Sequence, residues 1–87
     1  MNLIDANEAR VMITWDGQTG DLPDTVARDA SDAEIKRWAT EAVRTGSIPG
    51  IDSDTTADCR DFIVDRFGAN AVRPYTLIQV RPKTPFG

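Results

Sequence analysis

The chain of 87 residues contains no histidine and one cysteine, Cys59. Without histidine it lacks the commonest general base, the usual partner of a nucleophilic serine or cysteine, and the commonest metal ligand. A single thiol also excludes an internal disulfide framework. Cys59 is expected to lie in the core as a small, inert hydrophobic side chain. The sequence therefore predicts a protein that is not an enzyme and uses no metal or other cofactor.

Long apolar runs are missing as well. No run approaches the roughly 18 residues that a membrane-spanning helix requires. The N-terminal sequence MNLIDANEAR lacks the basic region and apolar segment of a secretory signal. We therefore expect a cytoplasmic protein that does not bind membranes.

The net charge is −4, and its distribution is uneven. Residues 71–87 carry +3 and no acid, which leaves −7 on residues 1–70. An acidic body disfavours binding to nucleic acid and to anionic lipid surfaces. It suits a basic protein partner, including a nucleic-acid-binding protein whose site it would occupy as an inhibitor. The alternative is that the acids serve only solubility.

The most clearly defined element is a helix over residues 32–45. Ser31 and Glu34 have the spacing of a capping box, and Gly46 can adopt the left-handed conformation that ends a helix. We interpret Trp38 as a core anchor, with stacking on a ligand as the alternative, and expect the few aromatic residues to supply much of the core's bulk. The apolar stripe that predicts this helix consists of Ile35, Trp38, Ala39, Ala42 and Val43.

Two extended segments precede the helix. The alternation in Arg10–Trp15 predicts a half-buried strand, with Val11, Ile13 and Trp15 on one side. Residues 16–21 are typical of a turn. Thr25–Arg28 is predicted as a weaker edge strand that forms a hairpin with the first.

Within the helix, Asp32 and Lys36 have the spacing of a favourable ion pair.

A second helix is predicted over residues 56–67, with Cys59, Phe62, Ile63 and Phe67 as its apolar stripe. Val72–Arg81 is predicted as a central strand, or one that is covered on both sides, because both of its faces carry apolar side chains. The order β-β-α-α-β indicates an α+β fold with two helices packed on a small, mostly antiparallel sheet. We expect one globular domain over residues 1–81 and an extended tail over residues 82–87.

The tail contains two prolines in six residues, so it cannot join a strand ladder well and is expected to be extended. The spacing of its prolines is typical of segments that bind aromatic-lined grooves. The leading hypothesis is a small protein-interaction module that binds a protein partner through this tail or through the acidic face; the alternative is a frayed terminus without a role. The candidate partner-binding residues are Arg81, Pro82, Lys83, Pro85, Phe86 and Gly87.

Three short motifs resemble those of small bacterial ubiquitin-like proteins of β-grasp fold, which occur with adenylating enzymes. They are Ile13-Thr14-Trp15-Asp16-Gly17, Leu22-Pro23-Asp24 and Ser31-Asp32-Ala33-Glu34-Ile35. In that family a hairpin closes with an Asn/Asp-Gly turn, an LPD segment follows, a capped helix crosses the sheet, and a C-terminal strand ends in a glycine-terminated tail.

The resemblance covers about residues 13–37 and the tail. It implies a modifier or sulfur carrier whose reactive group is the carboxylate of Gly87. Two features depart from the family. The chain ends with one glycine rather than a pair, and the predicted helix over residues 56–67 takes the place of a further strand.

Overall fold

The computed structural model describes residues 7–83, which contain one helix and five strands. The predicted α+β class is confirmed. The predicted order with two helices is wrong, since α1 is the only helix in the described range. The elements are β1 (Glu8–Trp15), β2 (Gln18–Asp21), β3 (Val26–Ala27), α1 (Asp32–Thr45), β4 (Ile63–Phe67) and β5 (Thr76–Arg81).

The strands form one mixed sheet in the order β2-β1-β5-β4, with β3 paired to the start of β1. Three of the four pairings are antiparallel, in agreement with the prediction, and the central pairing of β1 with β5 is parallel. A parallel pair needs a long crossover connection, which the segment containing α1 provides. The predicted central position of the last strand is confirmed.

The helix begins and ends where its caps predict. The Ser31 hydroxyl accepts a hydrogen bond from the Glu34 amide at 3.1 Å, and the Glu34 carboxylate accepts one from the Ser31 amide at 3.2 Å. Gly46 ends the helix with φ of 68°, a conformation that glycine adopts without steric cost. These purely local signals are sufficient to define α1.

The predicted ion pair within the helix is wrong, because tertiary partners replace it. Asp32 accepts a hydrogen bond from Nη2 of Arg66 in β4 at 2.6 Å. Lys36 instead donates to the carbonyl oxygen of Arg60 at 3.2 Å. The guanidinium of Arg66 also donates to the carbonyl oxygen of Ala30 at 2.7 Å, so this one side chain connects β4 to the start of α1.

The core lies between α1 and one face of the sheet, and its largest fully buried side chains are aliphatic. The expectation that aromatic residues supply its bulk is wrong. Trp15, Trp38 and Phe62 are half-buried at the rim, and Phe67 is exposed. Isoleucine and valine from α1, the sheet and the loop after α1 already fill the space between helix and sheet: Val11, Ile13, Ile35, Val43, Ile48, Ile78 and Val80.

The first hairpin is tighter than predicted. Asp16 and Gly17 have φ of 51° and 77°, as a two-residue type I′ turn requires, so β2 pairs with β1 immediately after them. The predicted turn over residues 16–21 is therefore wrong beyond Gly17. The extended segment at Thr25–Arg28 contains β3, which pairs only with the first residues of β1.

The predicted helix over residues 56–67 is wrong: the segment forms local turns held by Asp54 and Asp58, followed by strand β4. Oδ1 of Asp54 accepts hydrogen bonds from the amide and the hydroxyl of Thr56 at 2.9 and 2.6 Å. Oδ1 of Asp58 accepts one from the Arg60 amide at 2.9 Å. Such local bonds hold the backbone in turns, and the β-branched residues that follow then enter the sheet as β4.

Candidate partner-binding surfaces

The predicted tail begins at the middle of the sheet. Arg81 is the last residue of β5 and pairs with Ile63, and its Nε donates to Oδ2 of Asp65 at 2.8 Å. Pro82 is half-buried and Lys83 is exposed. The other three candidate residues, Pro85, Phe86 and Gly87, lie outside the described residues. Because the Arg81 charge has a partner within the sheet, Lys83 is the exposed cation at the start of this segment.

The face of the sheet opposite α1 has no helix or further strand of residues 7–83 packed on it. We call it the open face. The strand registers place side chains from β1, β5 and β4 next to one another here, and Phe67 is 42% exposed. Its central residues are Arg10, Met12, Leu77, Gln79, Arg81, Ile63, Asp65 and Phe67.

Polar groups on the open face are paired across strands. Arg81 pairs with Asp65 as described, and the amide nitrogen of Gln79 lies 3.8 Å from the sulfur of Met12. Such cross-strand pairs orient side chains but contribute only about 0–1 kcal/mol each at an exposed surface. Apolar side chains between paired polar groups are typical of surfaces that bind other proteins.

β4 lies at the end of the sheet, so its outer edge has no strand partner within the described range. An unpaired edge exposes amide and carbonyl groups to which an extended chain can bind. The charged side chains of Asp65 and Arg66 on this short strand are the kind that oppose uncontrolled edge pairing. We therefore treat the outer edge of β4 as part of the open face and not as a separate binding site.

Acidic side chains lie close together at the C-terminal end of β1. Asp16, Asp52 and Asp54 border a shallow depression of about 200 Å³. Trp15 Nε1 donates to Asp54 Oδ2 at 3.3 Å, and hydrogen bonds from Thr56 hold the pKa of Asp54 below its ordinary value. Within residues 7–83 no three histidine, cysteine, aspartate or glutamate side chains are placed to hold a metal ion. The depression is thus a local concentration of negative charge.

Trp38 lies at the boundary between the core and a surface groove. The ring packs against the core from its rim, as a core anchor does. It also borders a groove of about 710 Å³ between α1 and the segment from Leu22 to Ala27. The sequence spacing that places Trp38 on the apolar stripe does not reveal this groove, because its other wall comes from a distant loop.

The only thiol has a structural position. Cys59 is fully buried, as predicted, and burial raises the pKa of its thiol. Its amide donates to the Thr40 hydroxyl at 2.9 Å. A buried thiol with a raised pKa is a poor nucleophile.

No helix in the described part of the chain is long and apolar enough to cross a membrane. No protein-family model, no curated protein and no solved structure matches this chain. The surfaces described above are therefore the basis for assigning a function.

Proposed function

We propose that this protein is a non-enzymatic, cytoplasmic protein-interaction module that binds a partner protein through the open face and residues 82–87. The observation that carries the proposal is the position of β5. This strand lies at the middle of the sheet, and the candidate binding segment continues directly from it. A partner seated on the open face would therefore lie beside Arg81 at the end of β5, where Pro82 and Lys83 begin the tail.

The chemistry of the open face supports a protein partner. Met12, Ile63 and Phe67 offer apolar contact area, while Gln79 and the pair of Arg81 with Asp65 offer hydrogen-bonding groups around it. Protein interfaces combine these features, with aromatic and arginine side chains dominating the binding energy. The net charge of −4 disfavours nucleic acid as the alternative partner.

A second candidate function is that of a ubiquitin-like modifier or sulfur carrier acting through Gly87. One specific observation favours it. The segment expected to be a second helix contains strand β4, so one of the two departures from that family disappears. The tight Asp16-Gly17 turn, the capped helix and the C-terminal strand occur in the order that the family has.

Affinity isolation from the host cell tests the leading proposal. The full chain carries an N-terminal tag, so that Gly87 remains free, and is compared with a version lacking residues 82–87. Phe67→Lys tests the open face, and Val72→Lys is the matched control because Val72 is 95% exposed in a connector outside the sheet. We expect the truncation and Phe67→Lys to lose the same partner and Val72→Lys to keep it. Full retention by both would refute the proposal.

Intact mass spectrometry of the protein from the host separates the second function from the first. A thiocarboxylate at Gly87 adds about 16 Da, and conjugation adds the mass of the target through an isopeptide bond. Either product would establish the carrier or modifier role. An unmodified mass in a sample that retains its partner would leave non-covalent binding as the function.

A further inference from the structure

A second surface lies on the other side of the molecule, between α1 and residues 57–60. It is a groove of about 650 Å³, which we call the α1 groove. It is bordered by four cations and two acids, so its local charge is positive although the whole chain carries −4. The ionisable residues are Lys36, Arg37, Arg44 and Arg60 together with Glu41 and Asp58.

The walls of the α1 groove are held together by hydrogen bonds. Positions 36, 40 and 44 of α1 recur every four residues, so they lie on one face of the helix. Each bonds to the backbone of the neighbouring segment, which therefore runs antiparallel to α1. The three bonds are Arg44 Nε to Ala57 O at 2.7 Å, Cys59 N to Thr40 Oγ1 at 2.9 Å, and Lys36 Nζ to Arg60 O at 3.2 Å.

Guanidinium groups in the α1 groove have unused hydrogen-bonding capacity. Arg37 is exposed, and its guanidinium makes no hydrogen bond or ion pair with another residue in the 7–83 range. Arg44 uses Nε for Ala57, and its two terminal nitrogens have no partner in that range. Arg60 pairs with Asp58 at 3.2 Å, but its side chain is 80% exposed. The groove thus presents donors without matching acceptors.

We propose that the α1 groove binds an extended acidic segment of a partner protein. Arg37 and Arg44 are seven positions apart, which is about 10.5 Å along the helix axis. In a polyproline II chain, which has three residues per turn and a rise of about 3.1 Å per residue, carboxylates three residues apart lie on the same side and about 9 Å apart, so two of them match this spacing. Each can accept paired hydrogen bonds from a guanidinium, and the preformed walls reduce the ordering cost of binding.

A peptide fits this site better than a nucleic acid does. A phosphate backbone carries charge at every nucleotide and would meet Glu41 and Asp58 as well as the acidic body of the protein. A peptide can place uncharged residues opposite those two acids. The α1 groove lies on the helix side of the sheet, so this inference is independent of binding at the open face.

The test is an NMR titration of the full, ¹⁵N-labelled chain with a peptide in which Asp-Ser-Ser is repeated three times. The same peptide with asparagine in place of aspartate is the ligand control. We expect saturable shifts at the amides of α1 and of residues 57–60 with the acidic peptide only. Raising the salt concentration should weaken binding, because exposed charges are screened.

Charge reversal at one position tests the assignment. Arg37→Glu removes a binding guanidinium and adds repulsion. We expect about a five- to tenfold weaker Kd, because the loss of an exposed charge pair accounts for up to about fivefold and the added repulsion for the remainder. Arg28→Glu is the matched control, since Arg28 is exposed, does not border the groove, and changes the net charge equally. It should change Kd less than about twofold.

Three results would overturn the inference. The first is a shift pattern centred away from α1 and residues 57–60. The second is an equal effect of Arg28→Glu and Arg37→Glu, which would mean that only net charge matters. The third is tighter binding of a thymidine oligonucleotide of equal charge at the same amides, which would assign the groove to phosphate rather than carboxylate. Well-dispersed spectra of both variants confirm that they are folded.

Discussion

Replacing Thr40 by valine tests whether one hydroxyl holds residues 57–60 against α1. The Thr40 hydroxyl accepts the hydrogen bond of the Cys59 amide, and Cys59 is fully buried, so water cannot take the place of the lost acceptor. A buried amide without a partner costs about 1–3 kcal/mol. Threonine and valine have similar shapes and helix propensities, so the loss of the hydroxyl should dominate the change in stability.

Urea and thermal unfolding, followed by tryptophan fluorescence, measure the effect. Trp15 is a suitable probe because its ring stacks on Phe62, three residues beyond Cys59, with centroids 5.6 Å apart. In a domain of this size each 1 kcal/mol lowers Tm by about 4–8 °C. Thr40→Ser is the matched control, since it keeps the hydroxyl and loses one methyl group, worth at most about 0.8 kcal/mol.

We expect Thr40→Val to be less stable than Thr40→Ser, and the Cys59 amide to exchange its hydrogen faster in the valine variant. If Thr40→Val were as stable as the unchanged protein and its Cys59 amide exchanged no faster, the hydroxyl would contribute nothing to holding this segment. The assignment of this bond as a structural link would then be refuted.

Three further predictions concern other parts of the fold. Gly20→Ala would push a methyl group into the carbonyl oxygen of Pro49, so we expect urea unfolding to show a free energy of unfolding that is lower by about 1–3 kcal/mol. Gly68→Ala is the control, because a methyl group there meets nothing within 4 Å; its free energy of unfolding should change by no more than about 0.5 kcal/mol. The folded-state pKa of Asp54 is lowered, so its charge stabilises the fold above the unfolded pKa of about 3.9, and this contribution is lost as pH falls through the folded pKa. In urea unfolding, Asp54→Asn should therefore be less stable than the unchanged protein near neutral pH and equally stable in strong acid. A difference in stability that stays constant with pH would contradict this. The Cys59 thiol should react slowly with a disulfide reagent in the native protein and rapidly in urea, and equal rates would contradict its burial.

Helix α1 could be predicted to the residue because everything that defines it is local. The box of Ser31 with Glu34, the apolar stripe and Gly46 all lie within a few positions of the bonds they form. The position of β5 in the middle of the sheet was also predictable from local sequence, since apolar residues on both faces indicate a strand with neighbours on both sides. Its parallel pairing with β1 was not, because no local feature specifies a partner more than 60 positions away.

The segment over residues 56–67 shows why a helical spacing of apolar residues was misleading. Cys59, Phe62 and Phe67 satisfy the helical period, yet they lie in the core, at its rim and on the open face respectively. Asp54 and Asp58 form local turns in this segment instead of a helix start. Ile63 and Val64 were the opposing signal, since adjacent β-branched residues favour a strand.

Residues 57–60 of this segment form one side of the α1 groove. As a helix, residues 57–60 would direct their amides and carbonyls into their own hydrogen bonds, and no backbone would be available to bond with positions 36, 40 and 44. As an irregular segment that runs antiparallel to α1, they supply one wall of the groove. Thr40→Val, which alters no charge, should therefore also weaken the acidic peptide by loosening that wall. Unchanged affinity in this variant would mean that the cations of α1 alone form the binding surface.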